Sequence, residues 1–147
     1  MLHKLQHTIC HSHINSLFFN LLQNYNLLVL MLHQLCIMNV AIPILNNQIA
    51  PCFEVAKQFK IFTIKNAKII SSKNIKCVAS EGFLRVRLLR FHKINTLICN
   101  GIKSFYQNQV MGMGIMVIPN VNDSIEDTLN KFLVGSIKSS SNTKYKP

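Results

Sequence analysis

Tryptophan is absent from this chain, carboxylates are scarce, and no two cysteines stand in a CxxC pair. Each shortage excludes something. The acids are Glu54, Glu81, Asp123, Glu126 and Asp127. They are scattered, and three fall where helix capping accounts for them, so a metal-dependent nuclease centre, which needs clustered carboxylates, is not expected. The cysteines (Cys10, Cys36, Cys52, Cys77, Cys99) are odd in number and lack both disulfide-framework and zinc-finger spacing, so reduced thiols in a cytoplasmic protein are expected. There is no GxSxG, no glycine-rich phosphate loop, and after His33 the only histidine is His92. No catalytic set stands out, and the chain is not expected to be an enzyme. Dense Lys/Arg runs are missing too, although the formal net charge is +11. Such a charge suits an anionic partner. Scattered lysines in a chain rich in Asn and Ile also read as a solvated surface, so the nucleic-acid signal is not strong.

What is present is a foldable domain. Apolar residues make up 49% of the chain and charged ones 14%, too apolar a balance for overall disorder. The length of 147 residues suits one core. Residues 1–37 stand apart as an N-terminal extension of uncertain status. Lys4 is their only charge, and amides from Asn15 to Gln34 interrupt a Leu- and Phe-rich stretch. That pattern fits neither a membrane span nor a signal peptide. Membrane contact is expected only if this segment belongs to the working protein. His7, His11 and His13 look like a metal cluster, but a chance histidine-rich stretch explains them as well. Residues 138–147 form a basic tail expected to be disordered.

Between these ends lies the domain, residues 38–137. Met38–Leu45 reads as a buried strand closed by Asn46 and Asn47. A short helical turn is expected between Ala50 and Lys57. Phe59–Lys65 alternates with period 2, Asn66-Ala67 is a hairpin turn, and Lys68–Lys76 returns. Ser80–Ile94 is an amphipathic helix with Ser80 as N-cap and Glu81 in its first turn. Phe83, Leu84, Val86, Leu88, Leu89 and Phe91 are expected on its apolar side, with Arg85, Arg87 and Arg90 elsewhere. Thr96–Cys99 and Ile115–Ile118 are buried strands, separated by a weaker helix, Lys103–Met111. Asn122-Asp123-Ser124 caps a last helix, Ile125–Val134, which Gly135 ends. The later alternation of strands and helices predicts parallel strands with crossover connections.

Four blocks carry a resemblance. They are Met38-Asn-Val-Ala-Ile-Pro43, Ala50-Pro-Cys-Phe-Glu-Val-Ala56, Leu97-Ile-Cys-Asn-Gly-Ile102, and Val117-Ile-Pro119 followed by Ser124-Ile-Glu-Asp-Thr-Leu-Asn-Lys-Phe-Leu-Val-Gly135. In order and spacing the chain resembles the dinitrogenase iron–molybdenum cofactor biosynthesis domain family, which includes nitrogenase accessory factors. The resemblance implies a three-layer α/β ribonuclease-H-like fold. Its five-strand mixed sheet would have the order 3-2-1-4-5, with strand 2 antiparallel. It also implies a non-catalytic role in nitrogen fixation, binding or carrying an iron–sulfur or iron–molybdenum-type cluster among metallocluster assembly proteins. Some cofactor-binding relatives place a histidine before the phenylalanine matching Phe53; here Cys52 takes that place.

In the implied topology, strands 1 and 4 are parallel neighbours left in opposite directions. Ligands favour the crevice at such a switch point, beyond the strands' carboxyl ends. The candidate cofactor-binding residues are therefore Asn46, Asn47, Cys52, Phe53, Cys99, Asn100 and Gly101, with Cys52 and Cys99 as metal ligands. Backbone N–H groups after Gly101 are expected to receive an anion. The competing reading for Cys99 is a small core hydrophobe. The alternative function is a basic nucleic-acid-binding module without nuclease activity, presenting Arg85, Arg87, Arg90 and Lys93.

Overall fold

The computed structural model describes residues 36–77 and 82–137. Expectations for the N-terminal extension up to residue 35, the Ser80 cap with Glu81, and the tail 138–147 lie outside the described residues. The chain runs β1 (Ile37–Leu45), β2 (Gln48–Ile49), a 3-10 turn (Phe53–Val55), β3 (Gln58–Lys65), β4 (Lys68–Lys76), α1 (Gly82–Phe91), β5 (Thr96–Ile98), α2 (Ser104–Gly112), β6 (Met116–Ile118) and α3 (Ile125–Leu133).

The sheet is mixed and has six strands, which corrects the expected five. The extra strand is β2, a two-residue return of the β1 hairpin that is too short to show as an alternating pattern. The long strands run β4-β3-β1-β5-β6. β3 is antiparallel to β1 and β4, while β5 is parallel to β1 and β6. This is the expected order, with its antiparallel second member.

Period 2 sorts the strand side chains onto two faces. Val40, Ile42 and Ile44 of β1, Phe62 and Ile64 of β3, and Ile98 of β5 pack with Leu129 and Phe132 of α3. Ala41, Phe59, Ile61, Leu97 and Cys99 take the other face, with Val86 and Leu89 of α1 and Val110 of α2. The sheet is thus sandwiched between α3 on one side and α1 and α2 on the other. Each fully buried Leu or Phe contributes about 1.5–3 kcal/mol.

Local chemistry places the ends. Ser124 caps α3: its Oγ accepts the Asp127 N–H at 3.0 Å, and its hydroxyl donates to the Asp127 carboxylate at 2.6 Å. Gly135, with φ 71, turns the chain out of α3. The Ser136 N–H then bonds back to the Lys131 carbonyl at 2.8 Å. Both two-residue hairpin turns have positive φ throughout, at Asn46 and Asn47 and at Asn66 and Ala67. That is the handedness a tight hairpin requires. Asparagine tolerates it; Ala67 pays about 1–2 kcal/mol.

Helix α1 departs from expectation at Arg85 and at two phenylalanines. Its buried stripe is Gly82, Arg85, Val86 and Leu89, the i, i+3, i+4, i+7 set. Arg85 is therefore inside, whereas Phe83 and Phe91 are exposed. The Arg85 guanidinium donates to the Ala56 carbonyl from Nε at 3.3 Å and from Nη2 at 3.0 Å. A buried charge is tolerable when hydrogen-bonded in this way. Among the described residues, no helix is long and apolar enough to cross a membrane.

Candidate functional site

The carboxyl ends of β1 and β5 meet as the topology requires, but the gap between them is not open. Ile44 pairs with Gln58 of β3 on one side and with Ile49 of β2 on the other. The second side is the edge that β5 uses lower down, at Val40 and Ala41. The β1–β2 hairpin thus folds back into the switch-point gap and closes it with main chain. The Ala50 N–H extends this return, donating to the Pro43 carbonyl at 2.9 Å.

Past the hairpin, the two loops join directly. Cys52 and Gly101 form an isolated parallel bridge. Its bonds run from Gly101 N–H to the Pro51 carbonyl at 3.0 Å and from Phe53 N–H to the Gly101 carbonyl at 2.7 Å. Gly101 is needed for closeness. A Cβ at this position would lie 2.8 Å from the Pro51 carbonyl oxygen and 3.2 Å from Cys52 Cβ. Asn100, next in the chain, accepts the Asn120 N–H on its carbonyl at 2.7 Å. Its side-chain amide reaches Asn122 Oδ1 at 3.4 Å. Cys52, Gly101, Asn100 and the β6–α3 loop therefore form one continuous rim.

The remaining candidates fall elsewhere. Asn46 and Asn47 are exposed at the tip of the β1–β2 hairpin. Phe53 is fully buried beneath the rim, its ring 5.6 Å from Phe59 and 6.0 Å from Tyr106. It supports the loop from below. Cys99 has no exposed surface and lies in the core with Leu97 and Val110. Burial, helped by the nearby Glu54 carboxylate, pushes its thiol up to about 12. A thiol held protonated is a poor metal ligand. The two thiols aimed at one crevice by their sequence positions are thus separated, with Cys52 half-buried at the rim. Cys77 is half-buried and free, and burial raises its pKa. Cys36 is disulfide-bonded, which departs from the expectation of reduced thiols.

These placements predict a labelling order. Iodoacetamide applied to the native protein should modify Cys52, while Cys99 should react only after unfolding. Mass spectrometry of the digested protein checks this, and native-state labelling of Cys99 would contradict its burial.

The anion expected at the start of α2 is supplied internally. Glu54 Oε1 accepts the Lys103 N–H at 2.9 Å, so the protein's own carboxylate sits at that helix end. No spacing in the sequence signalled this, because Glu54 and Lys103 meet only when the two loops are bridged. The roles of Asn120 and Asn122 were missed as well. Their only signal was their place beyond a strand's carboxyl end, where the turn after Pro119 needs a positive φ at Asn120 (63°).

A metal ion or a fully protein-ligated cluster needs several convergent donors. Among the described residues, no three His, Cys, Asp or Glu side chains come together. The rim offers one accessible thiol and side-chain amides. That donor set fits the anchoring of a group carrying its own ligands.

Comparison with known proteins is consistent with this architecture. The family model described as dinitrogenase iron-molybdenum cofactor matches residues 37–135. Among solved structures, a candidate dinitrogenase from Methanocaldococcus jannaschii superposes with a TM-score of 0.61 at 24% identity, over 74% of this chain and 99% of that one. The apo form of the orange protein from Desulfovibrio gigas gives 0.58 at 14% identity, over 71% and 93% of the two chains. A candidate NifB protein from Thermotoga gives 0.55 at 16% identity, over 69% and 92%. At these identities the likenesses speak to the fold. No curated protein matches the chain.

Proposed function

The chain belongs to the dinitrogenase iron-molybdenum cofactor family, and on that premise we propose that it binds and carries, without chemical turnover, an iron–sulfur-based cluster of the iron–molybdenum cofactor kind or a precursor of one. The observation that carries this reading is the Cys52–Gly101 bridge, which sets a half-buried thiol beside Asn100 at the sheet's carboxyl edge. The cluster is cargo. It arrives with its own sulfides and is passed between metallocluster assembly proteins.

Each residue has a part in this proposal. The Cys52 sulfur, losing its proton, takes one metal of the cluster. Asn100 offers an amide to cluster sulfur, since hydrogen bonds to sulfur stabilise its charge. Gly101 lets the Pro51–Cys52 loop come close enough to hold the thiol at the rim. Asn46 and Asn47, at the hairpin tip, would meet the cargo's outer surface. Phe53 and Cys99 are assigned to the supporting core. A single anchoring thiolate also suits a carrier, because one ligand exchange then releases the cargo. The strand order supports placing the fold in the ribonuclease-H-like class, and the carrier would work in the cytoplasm.

The test is anaerobic titration of reduced protein with a preassembled iron–sulfur cluster, followed by absorbance. Cys52→Ala should lose most of the uptake, whereas Cys77→Ala should retain it. Equal uptake by the Cys52→Ala protein would overturn the proposal. So would equal loss in both variants, which would point to non-specific thiol capture.

A further inference from the structure

Charge is distributed very unevenly over the described residues. Among the acids, Asp123, Glu126 and Asp127 sit at the start of α3, just after the edge strand β6, and Glu54 is engaged with Lys103. The opposite edge is β4. It carries Lys68, Lys73 and Lys76, its neighbour β3 carries Lys60, and the end of α1 adds Arg90 and Lys93. No described residue between Lys57 and Lys93 is acidic. Lys73 Nζ lies 3.5 Å from His92 Nδ1, which ties the strand's charge to the end of α1.

β4 is also unusually bare. It spans nine residues, exposed along nearly its whole length on both faces, and among the described residues it pairs only with β3. Ile69 and Ile70 are 42% and 55% exposed on it, and Phe91, at the end of α1, is 78% exposed. The direction of its unpaired main-chain groups follows from the register. The Cys77 N–H bonds to the Lys57 carbonyl at 2.8 Å, and antiparallel pairs alternate between bonded and non-bonded. Ile75 and Lys73, opposite Phe59 and Ile61, are then bonded inward. Ser72, Asn74 and Lys76 turn their N–H and C=O groups outward.

From the open ladder and its cations, we infer that the β4 edge docks an acidic, extended segment of a partner protein, which adds to the sheet as a further strand. The outward main-chain groups of Ser72, Asn74 and Lys76 supply the ladder. The lysines supply charge complementarity, and Ile69 and Ile70 supply apolar contact. Edge lysines commonly guard against self-pairing, and here they do so: two β4 edges brought together would oppose like charges. That guard excludes a second copy while leaving the edge open to an acidic strand. The chain's own first 37 residues carry only Lys4 as charge, so they offer the cations nothing. A nucleic acid would satisfy the charges but leave the ladder unpaired.

The experiment uses the full chain and a fluorescein-labelled peptide of alternating Val and Glu, read by anisotropy. Binding is expected at low ionic strength and should weaken as salt rises. A peptide N-methylated at alternate residues, which cannot complete the ladder, should bind about tenfold more weakly. The Lys73→Glu, Lys76→Glu double variant should also weaken binding while keeping its circular dichroism spectrum. Absence of binding, or equal binding of the N-methylated peptide, would overturn the inference. So would preference for a single-stranded oligonucleotide of equal charge, or self-association of the chain abolished by the double variant.

Discussion

Replacing Gly101 with valine should destabilise the protein by about 3 kcal/mol, and Gly101→Ala by about 2, as the cost of overpacking plus lost hydrogen bonds. A Cβ at this position meets the Pro51 carbonyl oxygen at 2.8 Å, and that atom is main chain, which cannot rotate away. The loops must part, weakening the bonds from Gly101 N–H to Pro51 and from Phe53 N–H to Gly101. Phe53, buried and in ring contact with Phe59 and Tyr106, would be dragged from the core. The midpoint of denaturant unfolding measures the cost. The same variant should release Cys52 from the rim, so iodoacetamide labelling of Cys52 should accelerate. Unchanged stability and labelling would show that the bridge does not hold the site.

Arg85→Met should cost a further large amount, about 2–3 kcal/mol, the penalty for leaving a buried carbonyl without its donor. Methionine keeps most of the stem's volume, so the loss reports the guanidinium's bonds and not a cavity. Ala56 is itself fully buried; its carbonyl receives both guanidinium bonds and would be stranded. Arg85→Lys should recover part of the loss, because an ammonium donates but lacks the planar fork. Cys77 gives an independent readout. Burial raises its pKa, while Arg85 opposes that through its charge and a hydrogen bond. Removing the guanidinium should therefore move the pH midpoint of Cys77 alkylation upward. A variant with unchanged unfolding and alkylation midpoints would show that Arg85 is not the clasp between α1 and the Ala56 loop.

The legible parts were those governed by local rules. Alternation from Phe59 to Lys65 predicted that Phe59 and Ile61 share one face of β3 and Phe62 and Ile64 the other, because pleating allows only that division; which helices cover each face came from the structure. The Ser124 cap, the Gly135 stop and the Asn66-Ala67 turn were readable because each depends on a few neighbouring residues. The error over Arg85 has the same origin. Side-chain type suggested a solvated position, but the helical spacing from Gly82 to Leu89 places residue 85 inside, and spacing prevails once a carbonyl waits there to receive the charge. β2 was missed because two residues show no period.

The candidate site was legible only as a neighbourhood. Parallel strands left in opposite directions bring the loops after β1 and β5 together, as the topology implied by the family resemblance led us to expect. What fills the gap depends on contacts distant in sequence. The β1–β2 hairpin closes the gap, Glu54 reaches Lys103 at the start of α2, and Cys52 bridges Gly101. Burial then divides the two thiols, leaving Cys52 at the rim and Cys99 inside with a pKa near 12. By itself the sequence determined most of the elements and the division of strand side chains between two faces, since these follow from pleat and periodicity, while the strand order was implied by the family resemblance. Tertiary structure alone decided which thiol meets solvent, where the cations gather, and which sheet edge stays open, because desolvation and long-range pairing exist only once the chain has folded.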